Sequence, residues 1–234
     1  MNVLISGASG GIGSAISKRF IENGFTVYSI DLADADLGNN FVNHRVDVTN
    51  VKALLKLKKE LIGIKFSHII TLAGRALKNE WKDFSDSEYR TIYKSIELNL
   101  IGHLNVIRTF ADQLDAKSNP SIVLVSSINA YGGFGLPIYS SAKAGLIGFM
   151  NSSKEEYAKK GIRINVIAPG TIVTPSTKKE PKDFEELLRA TKTGRFATKE
   201  EVADLAYLIC EESSITGKVK IIDEGQLEKK NGSY

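Results

Sequence analysis

The chain has 234 residues, with 31 lysines and arginines against 27 aspartates and glutamates, and a formal net charge of +4 at pH 7. Hydrophobic residues make up 42% and charged residues 25% of it, which excludes fibrous and low-complexity proteins and predicts one globular domain over 1–234. Basic and acidic residues are interleaved, so we expect no nucleic-acid partner.

The cysteine and histidine content excludes two further classes. Cys210 is the only cysteine, so no intramolecular disulfide can form, and His44, His68 and His103 are too scattered for metal-ligand spacing. The chain runs from Met1 into an apolar stretch without the features of a signal peptide, and no apolar run reaches membrane-spanning length. We therefore expect a cytoplasmic protein with no metal site and no membrane partner.

Short β-branched runs alternate with longer amphipathic segments along the chain. This alternation is typical of βαβ units and predicts an α/β fold, a doubly wound parallel sheet of seven strands with helices on both faces. The predicted strands are Asn2–Ser6, Thr26–Ile30, Asn43–Val46, His68–Leu72, Ser121–Val125, Arg163–Ala168 and Lys218–Ile222. The predicted helices are Gly13–Asn23, Val51–Leu61, Ser85–Leu114, Tyr139–Lys160 and Lys199–Glu211, with Ser85 and Thr198 as N-caps.

The first strand and the first helix are joined by a glycine-rich turn, Ser6–Gly13. Glycines allow a close backbone approach, and the helix N-terminus then offers free N–H groups to a pyrophosphate. A strand before the turn and a helix after it favour dinucleotide binding over a plain turn. The predicted cofactor contacts in this turn are Gly7, Ser9, Gly11, Ile12 and Gly13.

Asp31 ends the second predicted strand, at the spacing where an acidic residue meets the adenosine ribose. A carboxylate accepts hydrogen bonds from both hydroxyls of NAD and repels the 2′-phosphate of NADP. The glycine turn and the residues directly after Asp31 contain no arginine or lysine that would neutralise such a phosphate. NAD is therefore favoured over NADP, and a loop-surface aspartate is the alternative.

A candidate catalytic site is predicted from a pair of serines, Ser126 and Ser127, followed by Tyr139 and Lys143. In a helix Lys143 lies one turn beyond Tyr139 on the same face, so the hydroxyl and the ammonium can point into one pocket. A nearby cation favours the phenolate, which predicts a lowered pKa for Tyr139 and a role in acid/base catalysis. The alternative is an ordinary amphipathic helix with one solvated lysine.

With these motifs together, nearly the whole sequence resembles the short-chain dehydrogenase/reductase family in its single-domain, Rossmann-like form. Ser6–Gly13 matches the family's glycine turn with Ser in place of Thr. The resemblance implies that Asp47 and Val48 meet the adenine and that Ala73, Gly74, Pro169, Gly170 and Thr174 lie on the nicotinamide side.

The resemblance also implies the roles of four catalytic residues. Tyr139 exchanges a proton with the substrate oxygen, Lys143 lowers the pKa of Tyr139 and holds the nicotinamide ribose, and Ser127 donates a hydrogen bond to the substrate oxygen. Asn99 holds an ordered water. The implied enzyme is an oxidoreductase that moves a hydride between NAD(H) and a secondary alcohol or ketone of a small metabolite.

Two departures from the family pattern stand out. The Asn-Asn-Ala-Gly motif reads Thr71-Leu72-Ala73-Gly74 here, which puts Leu72 where relatives have an asparagine that ties the sheet together. Motif alignment selects Ser127 as the catalytic serine, whereas the usual spacing to Tyr139 selects Ser126. We expect Ser127, because loop lengths vary more readily than strand ends.

Two alternative functions remain open: an NADP-dependent 3-oxoacyl-carrier-protein reductase and a non-catalytic NAD-binding regulator. The resemblance implies a homodimer or homotetramer built through the helices Ser85–Leu114 and Tyr139–Lys160. Residues 174–198 interrupt the alternation with two prolines and several lysines. Because they follow a strand's carboxyl end, we predict a substrate lid there, with a solvated connection as the alternative.

Overall fold

The computed structural model describes residues 1–81, 83–132, 134–173 and 181–227. Its seven strands are β1 (Asn2–Ser6), β2 (Thr26–Asp31), β3 (Phe41–Arg45), β4 (His68–Thr71), β5 (Ser121–Val125), β6 (Arg163–Pro169) and β7 (Val219–Ile222). They pair in parallel in the order β3-β2-β1-β4-β5-β6-β7. The predicted doubly wound parallel sheet is therefore confirmed, and β3 begins two residues before its predicted start.

The helices are α1 (Gly11–Glu22), α2 (Val51–Glu60), α3 (Tyr89–Ile96), α4 (Gly102–Phe110), α5 (Pro137–Lys159), α6 (Pro181–Arg189) and α7 (Lys199–Glu211). On one face of the sheet, α1 and α7 bury a core that includes Phe20 and Phe25. On the other face, α2, α4 and α5 bury a core that includes Phe66 and Phe110. The central strands β5 and β6 are buried throughout, which explains their largely apolar sequences.

The helix predicted over Ser85–Leu114 is confirmed in part: it begins at Tyr89, later than predicted, and it is not a regular α-helix throughout. Helix α3 begins at Tyr89, and residues Glu97–Ile101 wind as a π-helix before α4. Ser85 lies in a short 3-10 helix and is not an N-cap, because Glu88 precedes α3. A π-turn adds one residue to the winding, and no single residue type marks it in the sequence.

The predicted N-cap Thr198 is confirmed. Its hydroxyl accepts a hydrogen bond from the Glu201 N–H at 3.1 Å, and the Glu201 carboxylate accepts one from the Thr198 N–H at 2.8 Å. These reciprocal bonds form a capping box, which satisfies N–H groups at the start of α7.

The predicted lid lies partly outside the described residues, which omit 174–180. A parallel β-bridge joins Ile172 to Ala197, so the two ends of the segment meet beside β6. Helix α6 occupies the amphipathic piece expected around Phe184. Within the described ranges, no helix has both the length and the apolarity needed to cross a bilayer.

Candidate active site

A cleft of about 530 Å³ opens at the carboxyl ends of the strands, where the strand order reverses between β1 and β4. Open α/β sheets bind ligands at this position because neighbouring connections diverge there. Asn99 lies outside the cleft lining, and Thr174 lies outside the described residues. The other predicted site residues all line the cleft: Gly7, Ser9, Gly11, Ile12, Gly13, Asp31, Asp47, Val48, Ala73, Gly74, Ser127, Tyr139, Lys143, Pro169 and Gly170.

The glycine turn after β1 is packed too closely for side chains at two positions. Gly7 has a φ of +78°, and a Cβ there would lie 2.7 Å from the Ala73 nitrogen. A Cβ on Gly13 would lie 2.0 Å from the Gly7 carbonyl oxygen. Gly10 caps α1 without a side chain, so the first N–H groups of the helix remain available for a pyrophosphate.

Asp31 connects the end of β2 to the glycine turn. Its Oδ2 accepts a hydrogen bond from the Ser9 N–H at 2.9 Å, and its Oδ1 accepts one from the Ala33 N–H at 3.0 Å. These two bonds hold the carboxylate at the rim of the cleft, where its remaining lone pairs can meet ribose hydroxyls.

The wall beyond β3 is apolar and tightly packed. Val48 is buried, and its Cγ2 would lie 2.6 Å from a Cβ on Gly102, so glycine is required at the start of α4. Asp47 Oδ1 accepts hydrogen bonds from the Thr49 N–H and hydroxyl, both at 2.9 Å. Asp47 and Val48 both line the cleft beside this turn.

The segment after β6 also depends on a glycine. A Cβ on Gly170 would lie 2.6 Å from Gln226 Oε1, which accepts a hydrogen bond from the Thr171 N–H at 2.8 Å. Pro169 and Gly170 thereby hold the far wall of the cleft against the segment that follows β7.

Tyr139 and Lys143 lie one turn apart near the start of α5, with the Lys143 Nζ 5.7 Å from the centre of the Tyr139 ring. Nζ donates a hydrogen bond to the Val125 carbonyl at 3.0 Å, and the lysine is only 3% exposed. Burial lowers the pKa of Lys143 to about 7. Burial therefore works against the positive charge that was predicted beside Tyr139.

Burial raises the pKa of Tyr139 to about 12; a hydrogen bond with Ser127 lowers it, and the charge of Glu80 raises it further. The expectation that Lys143 brings this pKa below its ordinary value is wrong for the protein alone. Burial disfavours the charged phenolate and so raises the pKa of Tyr139. It also disfavours the charged form of Lys143, which would otherwise lower the pKa of Tyr139.

The two serines after β5 face different partners. Ser126 donates to the Lys143 carbonyl at 2.8 Å and is buried, so it fixes the backbone of α5. Ser127 accepts from the Asn129 N–H at 3.2 Å, donates to Asn129 Oδ1 at 3.1 Å and hydrogen-bonds with Tyr139. The geometry favours Ser127 as the serine that meets a substrate.

Asn99 lies in the π-helix and is fully buried directly behind Gly74. Its Nδ2 donates to the Arg75 carbonyl at 2.9 Å and to the Ser95 carbonyl at 3.1 Å. A Cβ on Gly74 would lie 2.5 Å from Asn99 Oδ1 and 3.6 Å from the Lys143 Nζ. Oδ1 has no hydrogen-bond partner among the residues that the structure describes. Asn99 is therefore next to Lys143, in the layer beneath the cleft.

Among the residues around this site that sequence reasoning missed are three with ionisable side chains. Arg75 lines the cleft, Glu80 acts on the pKa of Tyr139, and His103 lies behind Lys143. Only His103 carried a visible signal, since it interrupts an otherwise apolar helix face. Leu72 lines the cleft and packs into the core of the α1 face, so the position of the absent asparagine is filled by apolar packing.

The comparisons with known proteins bear on this cleft. The family model of the short chain dehydrogenases matches residues 1–185. The chain belongs to the short-chain dehydrogenase/reductase family.

Similar members of this family include a 3-oxoacyl-[acyl-carrier-protein] reductase of Thermotoga maritima, 34% identical over 95% of this chain and 96% of that protein. Oxidoreductase UcpA of Escherichia coli is 31% identical over 95% of this chain and 92% of its own length. A crystal structure of a 3-oxoacyl-[acyl-carrier protein] reductase with bound NAD from Brucella melitensis has a TM-score of 0.86 and 28% identity, covering 96% and 90% of the two chains. These members support an oxidoreductase that uses a nicotinamide cofactor.

Proposed function

We propose that this short-chain dehydrogenase/reductase transfers a hydride between NAD(H) and a secondary alcohol or ketone of a small metabolite. The observation that supports this most strongly is the convergence of Tyr139, Lys143 and Ser127 on one wall of a cleft whose opposite end is the glycine turn. A substrate oxygen between Tyr139 and Ser127 would have a proton donor and a hydrogen-bond donor together.

The chain's residues fit the cofactor. The N–H groups at the start of α1 would bind the pyrophosphate, Asp31 the adenosine ribose, and Asp47 and Val48 the adenine. Ala73, Gly74, Pro169, Gly170 and Thr174 would line the nicotinamide side. When bound, the nicotinamide ring supplies or accepts the hydride.

Side chains of the protein would transfer the proton that the substrate oxygen gains or loses. Tyr139 would give its hydroxyl proton to a ketone oxygen or take one from an alcohol, and Ser127 would hold that oxygen after turning away from Asn129. Lys143 would stabilise the phenolate while its carbonyl contact with Val125 keeps it in place. Asn99 would bind a water through its free Oδ1 and so connect Lys143 to solvent.

A second candidate is a 3-oxoacyl-carrier-protein reductase that uses NADP, favoured by the Thermotoga relative at 34% identity. Asp31 argues against it by repelling the 2′-phosphate. A comparison of NADH and NADPH binding by fluorescence titration separates the two candidates, because the reductase predicts tighter NADPH binding. Binding of either cofactor without turnover on any alcohol or ketone would support a non-catalytic regulator.

Tyr139→Phe tests the catalytic assignment. We expect turnover to fall by about two to four orders of magnitude, the usual contribution of a general acid/base, while the dissociation constant for NADH changes little. Steady-state rates and fluorescence titration measure the two quantities. Tyr157→Phe, a buried tyrosine of α5 outside the cleft lining, is the matched control. Near-normal turnover of Tyr139→Phe would refute the proposal.

We also propose that the protein assembles as a homodimer or homotetramer through α3, α4 and α5. Tyr89 and Tyr93 lie one turn apart on α3 and are 78% and 73% exposed, and Ile101 is 41% exposed. Large apolar side chains grouped on a helical surface are typical of interfaces between subunits.

A further inference from the structure

His103 lies in α4, behind the cleft, with both ring nitrogens close to polar groups. Nδ1 is 2.9 Å from the Thr71 hydroxyl, and Nε2 is 3.5 Å from the Lys143 Nζ, at the outer limit of hydrogen-bond distance. The ring is 1% exposed, so water does not replace these partners. Three elements, β4, α4 and α5, therefore meet at this histidine.

The partners determine which nitrogen carries the proton. A lysine ammonium has only donors, so Nε2 must present its lone pair to Lys143, and the ring proton must lie on Nδ1, where Thr71 accepts it. Burial lowers the pKa of His103 well below its ordinary value, and the positive charge of Lys143 lowers it further, while hydrogen bonds with the backbone of Thr71 and Ala73 oppose this shift. The ring is thus a neutral imidazole in one tautomer.

Lys143 has three N–H groups to satisfy and almost no contact with solvent. Val125 accepts one at 3.0 Å, and His103 is in place to accept a second. The third remains for the cleft, the side on which Tyr139 and a bound substrate or cofactor lie. Two hydrogen-bond acceptors would fix the orientation of the Lys143 ammonium, so that its third N–H group points toward the cleft. A preorganised site requires a fixed charge of this kind.

We propose that His103 is a positioning residue: its Nε2 holds the Lys143 ammonium toward the cleft, in a tautomer fixed by Thr71. This inference rests on the proposed function for the catalytic meaning of Lys143, but the contact itself can be measured without catalysis. Thr71 lies where relatives have the first asparagine of their motif, so the His103–Thr71 pair belongs to this chain's departure from the pattern.

Removal of the imidazole has a definite electrostatic consequence. The charged form of Lys143 loses an acceptor, so its pKa falls, and a larger fraction of Lys143 is neutral at a given pH. Tyr139 from α5 is the titratable group that Lys143 faces, Glu80 from the 3-10 helix Lys78–Trp81 acts on the pKa of Tyr139, and Asn99 contributes only a neutral amide. With less positive charge beside it, Tyr139 ionises at higher pH.

The first experiment is ¹⁵N NMR of the histidine rings in the full chain without cofactor. We expect the His103 ring to be protonated on Nδ1 and bare on Nε2, with no titration between pH 5.5 and 8.5. Loss of the signals in His103→Gln assigns them. A ring protonated on Nε2, or one that titrates in this range, would overturn the proposal whether or not the protein proves to be a dehydrogenase.

The second experiment compares His103→Leu with His103→Gln, which keeps an acceptor. For His103→Leu we expect kcat to fall by about tenfold, the scale of a hydrogen bond to a charged group, with KM within about twofold. The pH of half-maximal alcohol oxidation should rise, and His103→Gln should recover most of the loss. His68→Gln, which alters another buried histidine of the sheet hydrogen-bonded to Ser121, is the control and should leave the pH profile unchanged.

His103→Leu could leave the pH profile unchanged and lose as much thermal stability as His68→Gln. This result would contradict the positioning role and show that His103 contributes only to packing. If His103→Leu does not fold, the Lys143 Nζ signal in His103→Phe, which also lacks an acceptor, decides: a pKa lowered by a unit or more from that of the wild type supports the acceptor role, and an unchanged pKa contradicts it.

Discussion

Burial shifts the protonation of Tyr139 and Lys143 toward their neutral forms. The pKa of the tyrosine is raised to about 12 and that of the lysine lowered to about 7, both mainly by desolvation. Burial therefore disfavours the charged forms of both side chains, and the free energy of unfolding depends on pH as a result.

Lys143→Met should change the pH dependence of stability. From about pH 7 to about 10.5 the unfolded chain keeps a proton on Lys143 that the folded chain has released, so the free energy of unfolding of the wild type rises with pH in this window. Methionine removes this contribution. We expect the difference in unfolding free energy, wild type minus variant, to increase by a few kcal/mol between pH 6.5 and 9.5 in urea denaturation.

Lys159→Met, on the exposed side of the same helix, is the control, and its difference from the wild type should stay flat with pH. A flat difference for Lys143→Met as well would show that the Lys143 ammonium is hydrated in the folded protein.

Asp31→Ala should shift cofactor preference from NAD toward NADP. The carboxylate is fixed at the rim by the Ser9 and Ala33 N–H groups, so its removal deletes an acceptor for the ribose and a charge that repels the 2′-phosphate. We expect the ratio of kcat/KM for NAD over NADP to fall by about tenfold or more, the scale of a lost hydrogen bond to a charged group. Asp34→Ala, an exposed aspartate of the same loop, should leave the ratio unchanged. A wild type that prefers NADP would contradict the assignment.

At the scale of elements, the glycine turn distinguishes positions that look alike in sequence. A Cβ on Gly13 would lie 2.0 Å from the Gly7 carbonyl oxygen, whereas a Cβ on Gly10 would lie 3.4 Å from the same atom. The first distance requires the backbone to move, and the second is close to an ordinary contact. The two glycines therefore have different physical reasons for their presence.

Gly13→Ala should destabilise the fold and Gly10→Ala should change it far less. Overpacking of this kind costs on the order of 1–3 kcal/mol, and the displaced turn would also weaken cofactor binding. Urea denaturation and NADH titration of both variants measure the two effects. Equal stabilities of the two variants would show that the turn relaxes freely around Gly13.

The strands were predictable because short runs of apolar, β-branched residues are typical of strands that are buried on both faces of a sheet. The capping box at Thr198 was predictable because its signal is local. The segment from Ser85 to Leu114 was not, because no marker residue signals the extra residue of the π-helix, and the start at Tyr89 lacks a capping side chain. Local rules fail where the winding of the backbone changes without a marker residue.

At the scale of the whole molecule, the site is assembled from the carboxyl ends of parallel strands, which meet at one edge of the sheet. Asp31, Ser127 and Gly170 lie at or within two residues of a strand's carboxyl end, so motif and topology placed them together. Arg75, Glu80 and His103 could not be placed in this way, because their positions depend on a loop, a 3-10 helix and the rotation of α4. The sign of the Tyr139 pKa shift also escaped prediction, since burial is a property of the assembled molecule.

Tyr93→Arg tests the proposed assembly. An arginine at this 73% exposed position would place charge within the apolar face of α3, and we expect the wild type to sediment as a dimer or tetramer and the variant to dissociate at micromolar concentration. Ile62→Arg, at an 84% exposed position after α2, should sediment as the wild type does. A monomeric wild type would remove the basis for this interface.

The π-helix at Glu97–Ile101 makes the number of residues in this segment part of the active site. It carries one residue more than a continuous α-helix would, and deletion of any one of the five would rotate α3 relative to α4 by about 100°. Asn99 and His103 could then no longer lie beside Lys143 together. We therefore expect insertions and deletions to be rarer than substitutions at these positions among relatives. In evolution the length of this segment would be kept more strictly than its residue types.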